Sequence, residues 1–279
     1  MHVLMFSIAL VLSCCLRFGY KRAIDKSQLQ PERVLLLFLF PPVLAIVTAL
    51  AIVCMGPLGQ MVWFLGWFSY LLAATFLAFA IVLCLQLAFV GYQTVRRIRG
   101  ASLQNFQGTP ARILDLSVPF SAQVGFWQPE LVVTQGLIDL LDEEHLLAVI
   151  AHERAHLHYR DTFWFFWLGW IRRFSFWLPN TEILWQELLL WREMRADRWA
   201  AQQVDFLLLA ESLIYVVQTP LVESESFCAA FSCAAPQNRL SQRIDALLSH
   251  NASFSQWNWQ SLTWLFLAFV PLLVIPFHY

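Results

Sequence analysis

The run His152-Glu153-Arg154-Ala155-His156 could do hydrolytic chemistry if it is helical. Residues four apart on a helix project from one face, so the two imidazoles can reach a single ion. Glu153 lies about 100° around the axis, off the ion but close to a water held on it, which is where a general base must be. The chain has 7 His. Two of them would bracket a Glu at this spacing by accident in roughly one such chain in a hundred, so chance is a weak competitor.

A hydrolytic zinc ion needs a third protein ligand and an open fourth position. Glu193, within Trp191-Arg192-Glu193-Met194-Arg195-Ala196-Asp197, is the best candidate. Asp197 follows one turn later on the same face, where it can accept the free ring N–H of a liganding histidine. A Glu and an Asp four apart are more often a solvated helix face, and the upstream motif is what lifts this pair above that reading. His145, His158 and Asp161 are rivals. His158 points to another side of the helix, and His145 falls two turns before His152, too far to share the ion. Asp161 either ends the helix or pairs with an arginine. Arg195 and Arg243 are candidates for stabilising an oxyanion, with no motif to support either.

The elements that must hold these groups can be read around them. Asp142 is a suitable N-cap, Glu143 and Glu144 suit the positive end of the helix dipole, and Leu146, Leu147, Val149 and Ile150 supply an apolar face. Upstream, Arg112 to Leu116 and Glu130 to Thr134 read as two strands of a small hairpin or sheet, separated by Pro119, Gly125 and Pro129. The edge of the second strand could hold an extended substrate.

The rest of the chain is too apolar for an ordinary soluble domain. It is 59% hydrophobic and 13% charged, with 24 Phe and 13 Trp. A net charge of −1 gives no basic field for direct nucleic-acid binding. Cys14, Cys15, Cys54 and Cys84 lie in apolar runs, whereas Cys228 and Cys233 have polar neighbours. None shows zinc-knuckle spacing, a usage that fits a reducing compartment.

Four membrane spans are expected, at about residues 1–18, 34–55, 61–90 and 257–279, with the polar domain at 92–256. Arg17, Lys21, Arg22, Lys26 and Arg33, together with Arg96, Arg97 and Arg99, put that domain in the cytoplasm and both termini outside.

The aromatic stretch 163–178 resembles a fifth span. If it crossed, Glu193 would lie about 30 Å from the histidines. A two-span hairpin would need about 40 apolar residues, and Arg172, Arg173, Glu182 and Glu187 interrupt this one. An interfacial or dipping segment is therefore expected, with its tryptophans at headgroup depth. A Trp-rich soluble core is the bland alternative.

With these residues in place, the chain resembles the membrane zinc peptidases of the β-lactam-sensor antirepressor group, the BlaR/MecR type. It is more distantly similar to the heat-shock and CAAX-processing membrane peptidases. The likeness runs from Val118 to about Leu247. It takes in Val118-Pro119-Phe120, Gly125-Phe126-Trp127-Gln128-Pro129, Gln135-Gly136-Leu137, the HExxH core, Glu193 to Asp197, and Asn238-Arg239-Leu240 with Arg243-Ile244.

It implies an α+β, mainly helical, zincin-like domain with a small β-sheet and four transmembrane helices. It also implies one Zn2+ held by His152, His156 and Glu193, with Glu153 as base and Asp197 as supporting carboxylate. The implied partners are the lipid bilayer and a protein or peptide substrate, including a repressor-like protein. Antirepressor receptors carry a β-lactam-binding domain after the last span; the sequence stops at Tyr279, so no sensor domain is expected. The competing functions are a metal-binding signal transducer without turnover and a membrane quality-control peptidase.

Overall fold

The computed structural model describes residues 2–24, 30–57, 63–217, 239–248 and 259–277. The chain forms two compact units. One comprises Met1–Leu85, Ile171–Leu188 and Phe254–Tyr279, and the other Gln86–Trp170 and Leu189–Ser253. Ile171–Leu188, which overlaps the end of the stretch 163–178 read as interfacial, groups with the apolar helices of the first unit.

The first unit is built from α1 (His2–Ile24), α2 (Pro31–Met55), most of α3 (Trp63–Ile98) and a final 3-10 helix (Trp259–Phe277). Two stretches, Pro31–Met55 and Phe64–Ile98, are long and apolar enough to cross a membrane. The apolar parts of the outer two helices, His2–Phe18 and Leu262–Pro276, are shorter. Small residues let these helices approach closely: Ala49, Ala51 and Ala73 cluster with Ile52 and Met55, and Phe76 and Leu272 pack around them.

Arg17 is fully buried at the end of this unit. Its guanidinium donates to the Phe38 carbonyl at 3.1 Å and to the Pro179 carbonyl at 3.3 Å. Asn180 Nδ2 returns a bond to the Arg17 carbonyl at 2.8 Å. These bonds tie the turn between α6 (Asp161–Phe174) and α7 (Thr181–Ala200) to α1 and α2.

The second unit carries a four-stranded sheet: β1 (Ser102–Phe106), β2 (Thr109–Leu114), β3 (Ser121–Val124) and β4 (Glu130–Thr134), in the order β1-β2-β4-β3. The two strands read from the sequence correspond to β2 and β4; they share one sheet, as one of the two readings had it, and pair in parallel and not as a hairpin. Each forms its hairpin with a strand the sequence did not signal. β1 reads Ser-Leu-Gln-Asn-Phe and is mostly exposed, so it has no apolar alternation to detect. Its tight turn uses positive φ at both Gln107 (45°) and Gly108 (87°), the primed geometry suited to a two-residue hairpin. β4 has neighbours on both sides, so it is not available to an extended substrate. Among the described residues, β1 and β3 form the two edges of the sheet.

α4 (Gln135–Leu140) and α5 (Glu143–His158) follow the sheet. Asp142 caps α5 as expected, accepting from the His145 N–H at 2.9 Å. Leu146, Val149 and Ile150 of α5 form one apolar core with Leu131 and Val133 of β4 and with Leu137. α8 (Phe206–Val217) covers α5 from another side, and α9 (Leu240–Leu248) packs on α8.

The crossing from β4 into α4 is tight. A Cβ on Gly136 would stand 2.1 Å from the Ser117 carbonyl oxygen, a backbone atom that cannot rotate away. Gly108 has open space instead, and only its positive φ penalises a side chain. Gly136→Ala should therefore cost about 3 kcal/mol or more by overpacking, against about 1 kcal/mol for Gly108→Ala. Thermal unfolding of the two detergent-solubilised variants checks that order.

Candidate active site

The HExxH run lies on the second half of α5, where His152 and Glu153 are both buried. The Nε2 atoms of His152 and His156 stand 3.1 Å apart. Two nitrogens each about 2.0–2.1 Å from a tetrahedral ion would be separated by a similar distance. Glu193, buried on α7, completes the group: its carboxylate oxygens lie 3.3 Å from His152 Nε2 and 3.8 Å from His156 Nε2. The three donor atoms all lie within 4.8 Å of one another, so these side chains could hold a metal ion.

The outer nitrogens are also fixed. His152 Nδ1 stands 2.8 Å from Asp197 Oδ1, and His156 Nδ1 2.8 Å from Asp161 Oδ2. Each ring therefore has a carboxylate on its far side and turns Nε2 toward Glu193. That is the arrangement that makes neutral imidazoles good metal donors, and a nitrogen, nitrogen and oxygen set suits zinc.

Three arginines and one serine complete the site. Arg243, on α9, makes a two-pronged bond to Asp197 at 2.8 and 2.7 Å and approaches Glu193 at 3.4 Å. Arg192 grips Glu193 at 2.8 Å while lying over the Phe165 ring. Arg195 pairs with Asp161. Ser121, on β3, donates to Glu153 Oε1 at 2.9 Å.

These charges set the protonation states. Burial pushes the Glu193 carboxyl up, but Arg192, His156 and Arg243 outweigh it and hold the group well below the usual range. Asp197 is lowered in the same way, against burial, mainly by Arg243. Burial works against charge on His152 too, yet Asp197 and Glu193 together push its pKa up to about 9.

His152, Glu153, His156, Glu193 and Asp197 are thus brought together. The rivals divide. His145 is held by Asp142 at 2.7 Å and Glu211 at 3.4 Å, and His158 stacks on Trp199. Asp161 does enter the site, paired with an arginine as one reading allowed, and it also buttresses His156. That second role was hidden because the chain reverses at Tyr159-Arg160, where Arg160 takes φ 54°. Of the two oxyanion candidates, Arg243 is buried and committed to Asp197 and Glu193, which removes it from that role. Ser121 was invisible for want of a signal for β3, and Arg192 because an arginine next to a ligand looks like any surface charge.

Residues 105–229 match the model of Peptidase family M48. The match runs from the end of β1 past α8 and so contains all three convergent donors and Glu153. It supports a metallopeptidase of that type for this part of the chain. No curated protein matches.

In the metal-free protein, His152 at about 9 stands above its unfolded value near 6.5. The stability it contributes is fully present below about pH 6.5 and is lost as pH rises through 9. With chelator present, the melting temperature should fall between pH 7 and 10, and His152→Gln should flatten that fall. A wild-type profile that is level over this range would contradict the assignment.

Proposed function

We propose that the chain is an integral-membrane zinc endopeptidase with His152, His156 and Glu193 as ligands, Glu153 as general base and Asp197 as the carboxylate that orients His152. The observation that carries this reading is the convergence of both Nε2 atoms and the Glu193 carboxylate beside a second, differently held carboxylate. The similarity of residues 105–229 to Peptidase family M48 supports it.

Zinc would supply Lewis-acid polarisation of the scissile carbonyl and acidification of the attacking water. Glu153 takes the proton of that water and delivers it to the leaving amine. The Ser121 hydroxyl occupies one Glu153 oxygen, leaving the other for the proton. Asp197 and Asp161 keep the two rings in the tautomer that presents Nε2. An extended peptide would add along the outer edge of β3. Thr134 N–H bonds the Phe120 carbonyl, so by alternation Ala122 and Val124 face β4 while Ser121 and Gln123 turn their backbone groups outward.

Membrane integration is supported by α2 and α3. Four spans are our reading of the apolar segments, and the positive-inside rule then puts the site on the cytoplasmic side and both termini outside. His156 and Glu193 approach to 3.8 Å although α6 and the first half of α7 lie between them, which favours a segment that dips and returns over one that crosses. The antirepressor likeness adds the finer reading, cleavage of a repressor-like protein partner. Its support is the order of motifs from Val118 to Arg243.

Purified protein should carry about one zinc per chain. Glu153→Gln should keep the metal while peptide cleavage falls by about 10²–10⁴-fold. Asp161→Asn should weaken zinc binding about 10–100-fold, measured by competition with a chelating dye, although Asp161 is no ligand. Loss of metal from Glu153→Gln, or undiminished cleavage by it, would overturn the role of Glu153.

A further inference from the structure

Of the three convergent donors, Glu193 alone has two oxygens to offer, and the two stand in different surroundings. Arg192 Nε and Nη2 each lie 2.8 Å from Oε1, which is 3.8 Å from His156 Nε2. Oε2 is nearer to a ring nitrogen, 3.3 Å from His152 Nε2, and Arg243 Nη1 approaches it at 3.4 Å. A carboxylate oxygen carries two lone-pair sites. Two N–H groups converging on Oε1 occupy both, and a metal ion needs one of them. These bonds are charge-assisted and short, the stronger kind.

The neighbouring ion pair is built otherwise. Arg243 bonds Asp197 Oδ2 through Nε at 2.8 Å and Oδ1 through Nη2 at 2.7 Å, one N–H to each oxygen. That two-pronged pairing is frequent between arginine and a carboxylate. At Glu193 the guanidinium instead converges on one oxygen and spares the other, and Glu193 is the carboxylate that faces both Nε2 atoms.

Burial fixes this arrangement. The Arg192 and Glu193 side chains are each only 4% exposed, so water does not compete for Oε1. The guanidinium lies 4.7 Å over the Phe165 ring, which holds it from the α6 side.

We propose that Arg192 is a positioning residue that makes Glu193 a one-oxygen ligand, reserving Oε1 and leaving Oε2 for the ion. The proposal rests on the zinc reading given above and concerns how many places at the ion stay open. Two nitrogens and one oxygen fill three positions. A hydrolytic zinc keeps a fourth for water and can accept a fifth partner in the transition state. Glu193 bound through both oxygens would take one of those places. Arg192 therefore keeps room for water and the scissile carbonyl without touching either.

Zinc X-ray absorption on the full chain in mild detergent tests this, because the zinc-to-carboxylate-carbon distance shortens when both oxygens bind. The wild type should show Glu193 bound through one oxygen. Arg192→Met keeps an apolar stem against Phe165 and removes the N–H groups. It should retain about one zinc per chain but bind it through both oxygens, and peptide cleavage should fall about 10–100-fold, in kcat more than in KM. Arg192→Lys should restore one-oxygen binding, since an ammonium can also direct its N–H groups at one oxygen.

Two Glu193 oxygens at the ion in the wild type, or one in Arg192→Met, overturns the proposal. So does an Arg192→Lys spectrum that matches Arg192→Met. If Arg192→Met fails to fold, the wild type and Arg192→Lys decide the matter. Absence of zinc from the wild type would instead sink the zinc reading itself, whereas zinc held through both Glu193 oxygens sinks only the role of Arg192.

Discussion

Everything at the centre depends on burying four carboxylates in one place. Glu153, Asp161, Glu193 and Asp197 are all buried, and an isolated buried carboxylate would protonate sooner than remain charged. Arg192 and Arg243 counter this at Glu193 and Asp197, which are held below the usual carboxylate range, and Arg195 pairs with Asp161. Asp197 and Glu193 in turn favour a proton on His152, whose pKa they push up to about 9 against its burial. A divalent cation held by His152, His156 and Glu193 would take the place of that proton and bring positive charge to where a carbonyl oxygen gains negative charge.

That balance explains which side chains are packed around the donors. Removing one member of a buried ion pair typically costs about 3–5 kcal/mol, because its partner is left charged and desolvated. Arg243 serves Asp197 and Glu193 together, so its loss would strand two carboxylates. Arg192 is held in turn by the Phe165 ring, 4.7 Å from its guanidinium, which ties an aromatic of α6 to a ligand on α7. The aromatic richness of this region therefore has at least one structural use near the site, besides any use at a membrane surface.

The parts of the site legible in the sequence are those governed by helical periodicity alone. His152, Glu153 and His156 sit on one helix, and Glu193 and Asp197 on another, so spacing gave their faces and chemistry gave their roles. What spacing could not give were contacts made across a chain reversal or between distant elements. Asp161 reaches His156 only because Arg160 adopts a left-handed backbone, a conformation nothing in Tyr-Arg-Asp announces. Ser121 depends on a strand too short and polar to be read. The sheet was half legible for the same reason: β2 and β4 have apolar content, while β1 and β3 take their order from pairing partners.

The α6–α7 segment shows how a chemical requirement can outrank hydropathy. By composition alone, the stretch after Asp161 passes for a span, with six aromatic residues among the first ten of α6 and no charge before Arg172. Its fate is decided at its ends. His156 precedes it, Glu193 follows it, and the two must meet within a few ångströms if one ion is to be held. A bilayer crossing separates its ends by about 30 Å, whatever the residues in between prefer. The chain meets the requirement by turning at 175–180, where Thr181 Oγ1 bonds the carbonyls of Ser175 and Leu178 and Arg17 reaches in from α1. These bonds satisfy backbone groups that an apolar turn would otherwise leave unpaired. The buried arginine that looks anomalous in an apolar helix is therefore part of what holds this turn, and the turn is what lets α7 bring Glu193 back toward His156.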